Sequence, residues 1–364
     1  MKKVLIIGGY GNFGSFIARA LAQDKTMDVV IAGRSGEKAQ ELAKKLGVRS
    51  AVLDIEMDMD EKIAAIKPDI IIHTSGPFQS QDYDVARACI RHRCHYIDLA
   101  DGREFVTHIM QLDAAAKEVD VLVVSGASSV PCLTSAIIDA YKGEFSKLEN
   151  VEYAIATAQK TNRGLATTKA VLGYAGKPFT TLMNSQRRKI YGWQNLHWHK
   201  FEGLGWRALG NCDIPDLDLF PVRYPTLRTV RFYAGLELPF VHLGLWGLSG
   251  LVRMGLIKNL ASWAEPMLAA SRWFDGMGSD KSAFFMAMTG ARTDDTAGKT
   301  TFNLVALNGD GPYIPCMPAI LLARKLAQGE MMERGAMPCM GLVTLGEYLE
   351  ELGHYAIRWS AEKS

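Results

Sequence analysis

The feature that most restricts this chain is a run of six residues near its start, Gly9-Tyr10-Gly11-Asn12-Phe13-Gly14. It follows a short apolar stretch, 3–7, and opens a segment with Phe13, Phe16, Ile17, Ala20 and Leu21 at helical spacing. A wholly apolar stretch of that length fits a strand buried on both faces of a parallel sheet. Between such a strand and a helix, each glycine has a task. The first allows a tight turn, the second lets the backbone approach a pyrophosphate, and the third permits close helix–strand packing. A pyrophosphate on that turn would meet the free N–H groups at the positive end of the helix. The expectation is a dinucleotide site built from Gly9, Tyr10, Gly11, Asn12, Phe13 and Gly14; the alternative is a purely structural turn.

The rhythm continues. Strands are predicted at 29–32, 50–53, 69–73, 94–97 and 121–124, and helices at 37–46, 61–66, 84–91 and 104–119, with Gly47 closing the first of these. Six short strands separated by helices imply right-handed crossovers and an α/β fold with a doubly wound parallel sheet. A chain of 364 residues exceeds one such core, so a second domain is expected.

The end of the second strand bears on which dinucleotide binds. An acidic residue there accepts the ribose hydroxyls of NAD, whereas this chain has Ala32-Gly33-Arg34-Ser35. A guanidinium and a hydroxyl suit the 2′-phosphate of NADP, and Arg34 could also stack on adenine; the alternative is that Arg34 is merely solvated. Asp54, after strand three, is placed to meet the adenine edge or to cap its own turn. Ser75-Gly76-Pro77, after strand four, falls where the carboxyl ends of the strands line a ligand crevice, or serves as turn punctuation.

These residues, with Gly8, Phe78, His95-Tyr96-Ile97-Asp98 and Ser125-Gly126-Ala127-Ser128-Ser129-Val130-Pro131, resemble the saccharopine dehydrogenase-like family. That NADP-binding group includes saccharopine reductases and carboxynorspermidine dehydrogenases. A looser match returns in Pro318-Ala319-Ile320, Gly329-Glu330 and Arg334-Gly335. The resemblance implies a split Rossmann domain in which the chain leaves after strand six, builds a second domain, and returns as helices packed on the first. The expected division is an NADP-binding domain at 1–130, an inserted α+β substrate and dimerisation domain at 131–310, and C-terminal helices at 311–364. In such relatives the cleft between domains holds nicotinamide and substrate, and the second sheet often forms a homodimer interface.

In the middle of the chain, strands are predicted at 152–158, 187–191, 229–236, 283–291 and 300–307, with a hairpin turn at 293–299. They lack the βαβ rhythm, so a mixed or antiparallel sheet is expected. Arg163 and Thr167 either bind a substrate carboxylate or carbonyl, or belong to a helix start near Ala166. His197 and His199 have no third partner at metal spacing and read as packed or solvated, and Arg223, Arg228 and Arg231 as surface charges. The segment 238–273 is apolar but interrupted by His242, Arg253, Lys258, Glu265 and Arg272. Buried helices, a dimer surface and a peripheral membrane contact all fit it.

Composition removes other classes. The formal charge is +2, with 48% hydrophobic and 22% charged residues, and no basic stripe with interleaved aromatics supports nucleic-acid binding. The six cysteines form no C-x-x-C pair and no metal-spaced cluster, and read as the reduced thiols of a cytoplasmic protein. For catalysis the candidates are Tyr96 and Asp98, after strand five; Asp98 relays a proton or orients a cation, or else caps the turn. The expected function is NADP(H)-dependent hydride transfer involving a small or apolar carbonyl, imine or activated alkene. The alternative is a catalytically silent NADP-binding scaffold or redox sensor.

Overall fold

The computed structural model describes residues 1–364 and divides into two compact units, Met1–Ala136 with Pro312–Tyr348 and Ile137–Gly311 with Leu349–Ser364. The first is built on strands β1 (Lys2–Ile7), β2 (Met27–Gly33), β3 (Arg49–Val52), β4 (Ile70–His73), β5 (His95–Asp98) and β6 (Leu122–Ser125). Their order is β3-β2-β1-β4-β5-β6, extended beyond β6 by Gly335–Pro338, and every pairing is parallel. The core of this sheet is what the apolar runs require. Val4, Leu5 and Ile6 of β1, and Ile70, Ile71 and Ile72 of β4, are all buried.

The strand order reverses between β1 and β4, where open sheets of this kind place their ligands. Register fixes what meets at that edge: Ile7 pairs with both Ala32 and His73, and His73 pairs with Asp98. The turns after β1, β2, β4 and β5 therefore emerge side by side. Helix α1 (Asn12–Leu21) buries Gly14, Ile17, Ala18 and Leu21, and helix α2 (Gly36–Leu46) ends at Gly47 in the left-handed region, φ 68°.

The stretch 311–364, expected as helices returning to the first domain, is more varied. Tyr313–Gln328 is helical and packs on α1, where the rings of Phe16 and Tyr313 lie 4.5 Å apart. Gly335–Pro338 becomes the seventh strand of the first sheet, while Ile357–Lys363 pairs with a strand of the second unit. Gly335-Ala336-Met337-Pro338 has no apolar run of the kind that marks β1 or β4, so it does not stand out in the sequence as a strand.

The second unit contains β7 (Phe145–Thr157), β8 (Pro178–Met183), β9 (Gln186–Tyr191), β10 (His197–Phe201), β11 (Gly205–Asn211), β12 (Thr229–Leu236), β13 (Ser282–Arg292) and β14 (Ala297–Ala306). Its main sheet runs β10-β11-β12-β7-β13-β14 and closes with Ile357–Lys363; β8 and β9 form a separate hairpin. Only β12 and β7 are parallel, so the sheet is mixed. Ala154, Ala156, Phe201, Leu209, Tyr233 and Phe285 make one of its cores. The segment 238–273 forms the helices Pro239–Arg253 and Ala264–Arg272, and no helix of the chain is long and apolar enough to cross a membrane.

Candidate nucleotide-binding site

The turn after β1 is a cradle that side chains would fill. Gly8 sits at φ 76°, where L side chains are strained, and a Cβ there would lie 2.5 Å from Ser75 Oγ. A Cβ at Gly14 would overlap the Gly8 carbonyl oxygen and lie 2.8 Å from Thr74 Oγ1. The close approach is held by Thr74, whose hydroxyl donates to the carbonyls of Ile7 at 3.0 Å and Gly8 at 3.1 Å. Ser75 and Thr74 thus sit directly on the glycine turn, as the sheet register requires. The Gly76–Pro77 peptide is cis, and Gln81 donates to the Ser75 carbonyl at 2.6 Å.

Above this cradle, α1 begins at Gly11 with no side-chain cap and no acidic residue in its first turn. Its first N–H groups and its dipole form an electrostatic site for an anion. By contrast α2 is capped by Ser35, which accepts from the Lys38 N–H.

Tyr10 joins the two turns. Its ring lies over Gly33, where a Cβ would be 2.5 Å from Tyr10 Cε1, and its hydroxyl accepts the Ser35 N–H at 2.9 Å. Arg34 is exposed beside this contact and makes no ion pair. Sequence reasoning named Tyr10 only as a member of the glycine motif. The signal for its second task was an aromatic between two glycines, with a third glycine just ahead of Arg34. Asp54 is half-buried and caps its own turn, accepting from the Glu56 N–H at 3.1 Å.

Tyr96 and Asp98 are not at an open crevice edge; both are buried. One Asp98 carboxylate oxygen accepts from the N–H groups of Ala100 at 2.9 Å and Gly126 at 2.8 Å and from Ser125 Oγ at 3.0 Å. Its backbone carbonyl accepts from Ala127 at 2.8 Å. Asp98 therefore ties the loop after β5 to the loop after β6. Burial pushes its carboxyl up to about 6, against the opposing pull of the Gly126 and Ala100 N–H groups and the Ser125 and Tyr96 hydroxyls. The Tyr96 hydroxyl lies 3.1 Å from Nδ1 of His73, and burial pushes His73 down to about 3. Asp98 thus clasps two loops through one carboxylate oxygen, while its other oxygen, Oδ2, is buried without a hydrogen-bond partner.

In the second unit, Arg163 is ion-paired with Asp275, so its charge is already balanced, and Thr167 is exposed in the helix Leu165–Tyr174. His197 packs edge-on against Tyr233 and His199 stacks on Phe285 at 3.7 Å, while no group of His, Cys, Asp or Glu is arranged to hold a metal. Of the three arginines read as surface charges, Arg231 is the exception. It is buried and donates to Asn211 at 2.8 Å.

Strand order, glycine cradle and uncapped helix together define a pyridine-nucleotide-binding Rossmann domain. Residues 4–166 match the family model described as the saccharopine dehydrogenase NADP binding domain. Saccharopine dehydrogenase (L-Glu forming) from Saccharomyces cerevisiae has the same fold, with a TM-score of 0.70 over 100% of both chains at 14% identity. Homospermidine synthase from Legionella pneumophila, in complex with NAD, superposes with a TM-score of 0.63 over 100% of this chain and 91% of that one, at 11% identity. Among curated proteins, a glutamyl-tRNA reductase from Archaeoglobus fulgidus is 34% identical over 119 residues, which cover 31% of this chain and 25% of that protein. A 4-hydroxy-tetrahydrodipicolinate reductase from Syntrophomonas wolfei is 24% identical over 75 residues, 21% of this chain and 28% of that protein. The matches span about a quarter of these relatives' length. The whole chain thus has the fold of saccharopine dehydrogenase, with a pyridine-nucleotide-binding domain in its first part.

Proposed function

We infer that this chain is an NADP(H)-dependent oxidoreductase acting on a small or apolar carbonyl, imine or activated alkene. The observation that carries the reading is the uncapped, acid-free start of α1 over the Gly8–Gly14 cradle, with Arg34 unpaired beside it. The N–H groups in the first turn of α1 would hold the pyrophosphate against its dipole, while the Gly11 N–H is given to the Gly8 carbonyl and fixes the turn. Arg34 and Ser35 would hold the 2′-phosphate, and the Tyr10 hydroxyl fixes the turn that presents them. Asp54 would meet the adenine edge, and Ser75, Gly76 and Pro77 would lie along the rest of the cofactor. When bound, the nicotinamide supplies a hydride acceptor or donor. Tyr96 and Asp98 support the floor of this edge as positioning residues. Arg163 is left out of the reading, since Asp275 already balances it.

The test is a calorimetric titration with NADPH and, separately, NADH, followed by a screen of reducible substrates with the preferred cofactor. A charge-assisted contact contributes about 1.5–3 kcal/mol, so NADPH is expected to bind roughly ten- to a hundredfold tighter. Equal affinities would remove Arg34 from the site. Binding of NADPH without turnover across the screen would favour the silent scaffold over the enzyme.

A further inference from the structure

Eight of the seventeen exposed large hydrophobic side chains fall between Phe240 and Met277. The helix Pro239–Arg253 shows why this is not scattered surface. Its inner face buries His242, Leu245 and Ser249, yet its outer face carries Phe240, Leu243, Trp246 and Met254 with Gly244 and Gly247 between them. Arg253, in the last turn, is its one charged residue. A helix that is apolar all round is covered on all sides in its working state. The patch continues past the helix: Phe240 contacts Phe274 at 5.0 Å, and the neighbouring Trp273 is 83% exposed, with Trp263 at 61%.

We propose that this face of the second unit docks on the surface of a lipid bilayer containing anionic lipid. At about 1.5 Å per residue a fifteen-residue helix is too short to span a hydrocarbon core of roughly 30 Å, so it lies in the interface and does not cross it. The side chains around it have the composition such a position demands. Trp246, Trp263 and Trp273 pair an apolar body with an N–H that belongs at the headgroup level. Arg253, Lys258 and Arg272 are exposed among them against one exposed carboxylate, Glu265, because Asp275 is already paired with Arg163. Their cations complement anionic headgroups. The apolar side chains project from a helix, a turn and a helix end. A fluid surface accepts that spacing without shape complementarity.

The test is flotation of the full-length protein with vesicles of phosphatidylcholine alone and with about one-third phosphatidylglycerol. The expected result is recovery with the anionic vesicles, weakened by salt, and a blue shift of tryptophan emission. The combined variant Leu243→Ser, Trp246→Ser, Met254→Ser should lose binding by about tenfold or more, and Arg253→Glu with Lys258→Glu and Arg272→Glu should abolish the preference for anionic lipid. Both variants alter solvent-facing residues, so an unchanged circular dichroism spectrum and melting midpoint verify that they fold. Failure to float with either vesicle overturns the proposal, as does equal recovery with both. Light scattering supplies the remaining outcome: a wild-type dimer that the apolar variant converts to monomer, with no vesicle binding, would mean that a second copy of the chain covers this face.

Discussion

If Asp98 is a fastener and not an acid–base group, its two replacements must behave very differently. Asp98→Ala leaves the N–H groups of Ala100 and Gly126 and the Ser125 hydroxyl without their acceptor, in a region where Ala100, Ser125 and Ala127 are all buried. An orphaned buried donor costs about 1–3 kcal/mol, so orphaning two backbone N–H groups and one hydroxyl amounts to roughly 3–9 kcal/mol. Asp98→Asn keeps a carbonyl oxygen in the same place and removes the buried charge, at the expense of an amide that needs its own acceptor. Its stability at neutral pH should lie within about 2 kcal/mol of the wild type.

The pH dependence sharpens this. The folded carboxyl titrates near 6 against an ordinary value of 3.8, so the folded state holds its proton more tightly than the unfolded chain does. That contribution is fully present below 3.8 and is lost as pH rises through 6. The shift corresponds to about 3 kcal/mol, which wild type loses between pH 4 and 7 and Asp98→Asn does not. Urea denaturation of the three proteins across that range measures it. Equal midpoints for the Ala and Asn variants, or a wild-type minus Asn difference that is flat with pH, would refute the fastener. Turnover supplies the complementary readout. A fastener leaves Asp98→Asn within a few-fold of wild type, whereas a proton relay would lose about two to four orders of magnitude.

Three other outcomes follow from the site. Gly14→Ala forces a Cβ onto the Gly8 carbonyl and within 2.8 Å of Thr74 Oγ1, so pyridine-nucleotide binding should fall about a hundredfold or more by calorimetry, for either cofactor. Arg34→Ala should weaken NADPH by roughly ten- to a hundredfold and leave NADH nearly unchanged, while Tyr10→Phe, which frees the Ser35 N–H, should produce a smaller loss of about 1 kcal/mol in the same direction. His73 is buried and held down to about 3, so the unfolded chain takes its proton first as pH falls below 6.5. Folding stability should therefore fall between pH 6.5 and 3, by up to about 4–5 kcal/mol from this group, with thermal midpoints dropping in step, and His73→Gln should flatten that limb.

The first sheet was legible because its code is local. Strands β1, β2, β4 and β6 are built on short apolar runs, and for all of its first six strands predicted and observed bounds differ by at most two residues. The second unit was half legible. β14 shows the alternation of a half-buried strand, and β12 was read at its full length, but β8, β10 and β11 were not assigned as strands. His197-Trp198-His199-Lys200 carries no apolar periodicity, because its buried partners are aromatic rings on other strands: Tyr233 for His197 and Phe285 for His199. Pairing of that kind is fixed by tertiary contact, and no window of sequence contains it.

The nucleotide site divides along the same line. Gly9, Gly11 and Gly14 could be read because their tasks, a tight turn and a close approach, are imposed by backbone geometry within one turn. Tyr10 and Asp98 could not, because the groups they serve are distant in the chain: Ser35 lies twenty-five residues from Tyr10, and Gly126 twenty-eight from Asp98. An aspartate after a strand looks the same in sequence whether it faces a ligand or clasps a neighbouring loop. Only the burial of its partners separates the two. That is also why the specificity expected of Arg34 rests on more than Arg34. A guanidinium at the end of β2 binds a phosphate firmly only if its turn is held still, and the Tyr10 hydroxyl and the missing side chain at Gly33 supply that restraint. The glycine motif and the Arg34 turn are therefore one device, read in sequence as two.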